Sequence, residues 1–240
     1  MSEAFATPPP PAAPKGLSLP ARFWGILTSP KATFADVVAR PRWFGMLALV
    51  LVVTAACTGG FLSTEVGQTA YMDQAVERVQ RSGQQMSEAQ LAATEKMLPY
   101  MGAITAVSTL LLGPVMWLIM AGILFAVFNA ALGGTSTFKQ IFAVLVHASA
   151  PTVLQQLFVT PLNYVRESMS SATSLGVFLP MLDEQTFLAK LLGMVDLFVI
   201  WWVVLLAIGL AVLFKRKTGP VAAGLFVVYG VIAIIVAAAF

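Results

Sequence analysis

Asp196 stands inside the apolar run Leu191 to Phe214, and it is the residue whose type and position most invite chemistry. A carboxylate within hydrocarbon is costly unless it faces a bundle interior, takes a proton or finds a partner, so such a group marks a candidate site by default. The competing explanation is a structural carboxyl that hydrogen-bonds a neighbouring helix, or one near enough to an interface to be wet. A second apolar run, Gln140 to Tyr164, carries His147, Ser149, Pro151, Gln155, Gln156 and Pro161, a polar and proline content that suggests a broken helix.

Depth separates these groups. Counted from the basic ends of their runs at about 1.5 Å per residue, His147 lies roughly 10 Å in and Asp196 roughly 27 Å. Gln155 and Gln156 fall at roughly 23 Å on the same scale, level with Asp196, while Asn129 lies nearer to His147. The expectation is an inner layer of Asn129 and His147 and an outer layer of Gln155, Gln156 and Asp196. Such layers would bind an ion, a lipid headgroup or a small solute, with His147 or Asp196 carrying a proton. Alternatively they glue helices together, at about 0.6 kcal/mol for each polar contact.

Other chemistry finds little support. One cysteine, Cys57, allows no internal disulfide and no multi-cysteine zinc site, and one histidine allows no HExxH pair. Val53 to Gly59 faintly resembles a lipoprotein processing site around Cys57, but it lies far from the terminus and has Thr at position 54; a plain buried thiol is expected. Asp183-Glu184 could do acid and base work, yet carboxylates there more simply start the next helix, where they complement its dipole. No catalytic residue, metal or cofactor is expected, and the chain is read as not an enzyme.

These residues sit on elements that composition identifies. Hydrophobic residues make up 58% of the 240 and charged ones only 10%, against about 25% in soluble domains. The mean hydropathy is +0.85. The apolar residues fall in runs near the 18 to 20 that a helix needs to cross about 30 Å of hydrocarbon. The fold class is therefore all-α, a polytopic membrane helix bundle of about five transmembrane helices at 43–62, 99–132, 140–164, 191–214 and 221–240.

Between and before these spans the chain changes character. Residues 1–20, rich in proline, read as a disordered cytoplasmic tail with no secretory signal. Residues 21–42 read as short interfacial helices, with Ser29-Pro30 as a capped start. They either lie on the membrane surface with basic groups toward headgroups or form a packed connector. The membrane domain covers 43–240, with an extracytoplasmic helical loop at about 63–98 in which Gly83 ends one helix and Ser87 with Gln90 caps another. Pro114 is the natural kink in the long second span, and Gly133-Gly134 ends it.

The fourteen basic residues form no stripe for nucleic acid; they encode topology. With the N-terminus cytoplasmic, Lys15, Arg22, Lys31, Arg40, Arg42, Lys139, Lys215, Arg216 and Lys217 lie inside. Arg78, Arg81, Lys96, Arg166 and Lys190 lie outside. The larger inside share predicts an N-terminus in the cytoplasm and a C-terminus outside, in the inner membrane if the source is bacterial.

Three stretches carry a family resemblance. Leu27-Thr-Ser-Pro30-Lys-Ala-Thr-Phe34 with Arg40-Pro41-Arg-Trp43, then Gly133-Gly134-Thr-Ser-Thr-Phe138-Lys139-Gln140 with Val144-Leu-Val-His147-Ala-Ser149-Ala-Pro151, and Asp196-Leu-Phe198-Val-Ile-Trp201 through Gly209 resemble, in order, segments of bacterial Yip-domain proteins. The resemblance implies the Yip fold, five spans and a cytoplasmic N-terminus, and it implies no enzyme. The family takes its name from eukaryotic members that meet Rab-type GTPases, but this chain lacks their long soluble domain. The expected function is a non-enzymatic scaffold or organiser that binds membrane lipids or a protein partner of unknown identity. The alternative is a transporter or channel component using the intramembrane polar groups. Small residues four apart, such as Ala207 and Ala211 or Ala130 and Gly134, would permit close helix packing, and a homo-oligomer is compatible with the chain.

Overall fold

The computed structural model describes residues 16–81, 83–179, 181 and 186–239. Most of the expected tail, residues 1–15, and the Asp183-Glu184 pair lie outside the described residues. Helix begins at Leu19, inside the stretch expected to be tail, because the Ser18 hydroxyl accepts from the Ala21 N–H and Pro20 suits the first turn. Leu19–Thr28 (α1) is followed after one residue by Pro30–Ala39 (α2). Ser29 does not cap α2 through its side chain; its carbonyl accepts from the Thr33 N–H and hydroxyl instead.

The helices of 21–42 pack against the bundle. Ile26, Phe34 and Val37 are fully buried, and α2 lies against two helices of the bundle described below. Burial of the apolar face drags Arg22 in with it, to 2% exposure, where it pairs with Asp36 at 2.8 Å.

Phe44–Leu62 (α3) and Glu65–Arg81 (α4) follow, and the chain turns at Gly83, whose φ of +74° is open to a residue without Cβ. Ser87 and Gln90 form the reciprocal capping box that opens Glu88–Phe125 (α5). This helix does not restart at Pro99: it runs from the polar loop straight into the membrane-crossing stretch and ends in a π-helical turn, Ala126–Ala131. Prolines 99 and 114 both lie within it, so the second helix of the polar hairpin and the second span are one continuous rod.

Phe138–Ala148 (α6) and Ala150–Arg166 (α7) meet at Ser149, where φ −81° and ψ 7° interrupt the expected third span just before Pro151. The expected fourth span is also divided. Phe187–Met194 (α8) stops short, and Leu197–Leu213 (α9) starts afresh on Asp196, while Thr218–Ala239 (α10) closes the chain. No strand occurs among the described residues, although one antiparallel bridge pairs Ser174 with Asp196.

Among the described residues, four helical segments are long and apolar enough to cross a membrane: α3, the α5 rod, the α6 and α7 pair, and α10. The remaining apolar helix, α9, has 17 residues. At 1.5 Å per residue it is about 26 Å long, at the short end of what a bilayer requires. The chain is an all-α, multi-pass integral membrane protein.

Ring contacts and hydrogen bonds define the two ends of the bundle. At one end Trp43 meets Phe142 and Phe128 stacks on Phe214, while Gln140 donates to the Val38 carbonyl and Arg216 to the Leu132 carbonyl. The starts of α3, α6 and α10 therefore share an end, and exposed Arg42, Lys139, Lys215 and Lys217 lie there. At the opposite end α3 and α5 cross closely, and a Cβ built on Gly102 would stand 2.6 Å from the Gly59 carbonyl and 2.9 Å from the Ser63 nitrogen. Backbone cannot yield as a side-chain tip does. Gly102→Ala is expected to cost about 1–3 kcal/mol, read as a lowered midpoint in thermal unfolding from micelles.

Candidate functional site

Asp196 caps rather than interrupts a helix. Its Oδ1 accepts from the backbone N–H groups of Phe198 at 2.8 Å and Val199 at 3.3 Å, donors that an unflanked helix start leaves unpaired. The same oxygen accepts from Gln155 Nε2 at 3.4 Å, and its Oδ2 accepts from the hydroxyls of Ser171 at 2.7 Å and Thr173 at 2.5 Å. Five donors fill the acceptor sites of one carboxylate. The residue is 6% exposed. Two backbone bonds hold the approaching loop beside it, Leu175 N–H to the Val195 carbonyl and Leu197 N–H to the Thr173 carbonyl.

Asp196 thus stands at a junction at the start of α9. The junction joins α7, the loop 171–175 and α9, and the Tyr229 hydroxyl on α10 donates to the nearby Met194 carbonyl. Ser171, Thr173 and Tyr229 were not expected to take part. Their only trace in the sequence is a serine- and threonine-rich stretch before the run containing Asp196, a pattern shared by ordinary loops.

The structure brings Gln155 to Asp196, as the outer layer requires, and leaves Gln156 half-buried one residue away. It does not assemble the inner layer. The Asn129 amide donates to the Ser136 carbonyl at 2.6 Å and accepts from the Ser136 hydroxyl at 2.9 Å, so it staples the π-helical turn to the following loop. His147 is fully buried, and its Nδ1 lies 2.8 Å from the Ala143 carbonyl one turn back. A carbonyl can only accept, so the proton sits on Nδ1. Nε2 is then an acceptor, and it has no partner among the described residues.

A separate opening lies between α5, α7 and α9, with a volume of about 280 Å³. Gln155 and Thr152 reach it from α7, whereas Asp196 does not line it. Among the described residues no group of three or more His, Cys, Asp or Glu could hold a metal ion.

At the other end of the bundle, Arg22 donates through Nε to Asp36 at 2.9 Å and through its terminal nitrogens to the carbonyls of Arg40 at 2.9 Å and Arg42 at 3.3 Å. Arg40 closes the second side of Asp36 at 2.9 Å. Burial alone would raise the Asp36 pKa, but the hydrogen bond and charge of Arg22, helped by the Leu17 backbone and Arg40, hold it below the ordinary carboxylate value of 3.8.

Comparison with known proteins adds one finding: the family model of the Yip1 domain matches residues 24–240. No curated protein and no solved structure matches the chain.

Proposed function

The chain belongs to the Yip1 domain family, and from that premise we propose that it is a non-enzymatic scaffold that organises the membrane by gathering lipids or protein partners at its basic end. Support comes above all from Asp196. The Asp196 carboxylate, on which a transport path would draw, has its acceptor sites filled by five donors from this chain, outside the cavity. Polar groups used in this way hold elements together.

The exposed cations Arg42, Lys139, Lys215 and Lys217 form the recruiting edge, which we place in the cytoplasm by the charge bias. A photo-reactive residue introduced at Lys139 should capture the same protein or anionic lipid in repeated membrane preparations. With the photo-reactive residue kept at position 139, charge reversal by K215E and K217E together should lower that yield severalfold, because each basic group near an anionic surface contributes about 1 kcal/mol. Unchanged capture after reversal would defeat the proposal. So would solute uptake into proteoliposomes that vanishes in Asp196→Asn.

A further inference from the structure

Beside the Asp196 junction, at the end of the bundle away from the exposed basic residues, the chain builds a small apolar hairpin. One arm is the 3₁₀ turn Leu175–Phe178 and the other is α8. The arms meet backbone to backbone, since a Cβ built on Gly176 would stand 3.3 Å from the Gly193 Cα. The N–H groups of Leu175, Val177 and Leu179 donate to the carbonyls of Val195, Ser174 and Gly176, and those of Val195 and Leu197 to Leu192 and Thr173. An irregular segment can leave water only when its backbone donors are met from within, as these are.

The outward side chains are apolar. Phe178 is 73% and Met181 81% exposed, and Leu175, Leu179, Phe187 and Leu188 are exposed as well. Among the described residues from 171 to 197 the only charges are Lys190 and Asp196, and Asp196 is buried. A patch of this kind facing water is a liability that soluble surfaces avoid. Depth identifies what covers it. The helix α8 packs on α10, where the Tyr229 hydroxyl donates to the Met194 carbonyl at the end of α8. Tyr229 lies about 17 Å along α10 from Thr218, and residues 230–239 carry that helix about 15 Å further, at 1.5 Å per residue. Ala233 and Ala237, one and two turns beyond Tyr229 on the same face, are buried. Because α9 runs from this junction toward the basic end, α8 is the neighbour left to cover them. Around them Val231, Ile232, Ile234 and Ile235 stay exposed, on a helix apolar enough to span. The lipid-facing surface of α10 thus continues onto the hairpin.

We infer that this hairpin, made of residues 175–179, Met181 and α8, is a re-entrant element seated shallowly in the acyl layer of the leaflet opposite the basic end, where lipid chains cover Phe178, Met181, Phe187 and Leu188. Charge sets the shallow limit: Asp183 and Glu184 interrupt the apolar sequence, and carboxylates need water or headgroups. The seating gives the Asp196 junction a second hold, because a loop pinned in lipid keeps Ser171 and Thr173 on the carboxylate. It is independent of any partner at the basic end.

Nitroxide labels on single cysteines, placed in the full chain with Cys57→Ser and reconstituted in phosphatidylcholine vesicles, read these surroundings by power saturation. Oxygen gathers among acyl chains, and a nickel chelate stays in water. Phe178→Cys and Met181→Cys should show the oxygen preference of Val228→Cys on the exposed face of α10, severalfold above that of Glu88→Cys at the exposed start of α5. A nickel preference like that of Glu88→Cys overturns the proposal. Exclusion of both reagents with spin–spin broadening, the mark of a second copy seated on the patch, overturns it too. The unsubstituted chain supplies a second readout that no substitution can disturb. A lipid-soluble diazirine photolysed in the same vesicles should mark residues within 175–179 or 187–188 as it marks α10. Label on α10 with none on the hairpin would leave the seating without support and defeat it.

Discussion

Arg22→Met is expected to lower stability by about 3–5 kcal/mol, the range for breaking a buried ion pair from one side. Methionine replaces the stem but not the guanidinium, and three consequences follow from the geometry. Asp36 keeps only Arg40 as a cationic partner, and the carbonyls of Arg40 and Arg42 lose the donors that close the turn before α3. The α1 and α2 hairpin then has Ile26, Phe34 and Val37 as its hold on the bundle. Removing both partners, in Arg22→Met with Asp36→Leu, should cost less than the single change, because no uncompensated charge is left behind. The pH dependence supplies an independent readout. Because the folded-state pKa of Asp36 is depressed, its contribution is present above the unfolded value of 3.8 and is lost as pH falls through the lower folded value. Thermal unfolding followed from pH 7 down to about 3 should therefore show a steeper acid loss in the parent than in Arg22→Met. Equal slopes would remove Asp36 and Arg22 as the source.

The apolar runs made the fold class and most span positions legible, since a membrane leaves a signal that is local in sequence. The capping box at Ser87 and Gln90 was legible for the same reason: both partners lie within one turn. What escaped depended on distance along the chain. Depth counting levelled Asp196 with Gln155, and the two do meet, 41 positions apart. The count could not show that helix stops at Met194 and restarts at Leu197, because Val195 and Asp196 sit in an unbroken hydropathy signal. Nor could it show that Ser171 and Thr173, 25 and 23 positions earlier, fold back onto the carboxylate. Arg22 escaped for a related reason. Its surface placement was natural for a cation until Asp36, 14 residues on, turned out to share its pocket. Asn129 was paired with His147 by depth alone, whereas a partner seven residues away, Ser136, was closer to hand.

Asp196→Ala is expected to cost about 3 kcal/mol, combining a lost helix cap at about 0.5–2 with buried donors left unpaired at about 1–3. The loss should be local before it is global. Ser171 and Thr173 would no longer be held to the start of α9, while the backbone bonds of Leu175 and Leu197 remain as the loop's tether. Limited proteolysis should thus cut within 171–179 in the variant under conditions that leave the parent intact. Asp196→Asn separates geometry from charge. Its carbonyl oxygen can still accept from Phe198 and Val199, but its amide presents N–H groups where the two hydroxyls donate, so about half the loss should persist. A group that carries protons would behave otherwise: alanine and asparagine would be equally inactive in transport, whatever their stability. Graded stability and graded protease resistance, in the order Asp, Asn, Ala, are what a carboxylate serving as a junction between α7, the loop and α9 must give. The scaffold proposal depends on that order, because a rigid junction holds α9 against α7 at the end of the bundle away from the exposed basic residues.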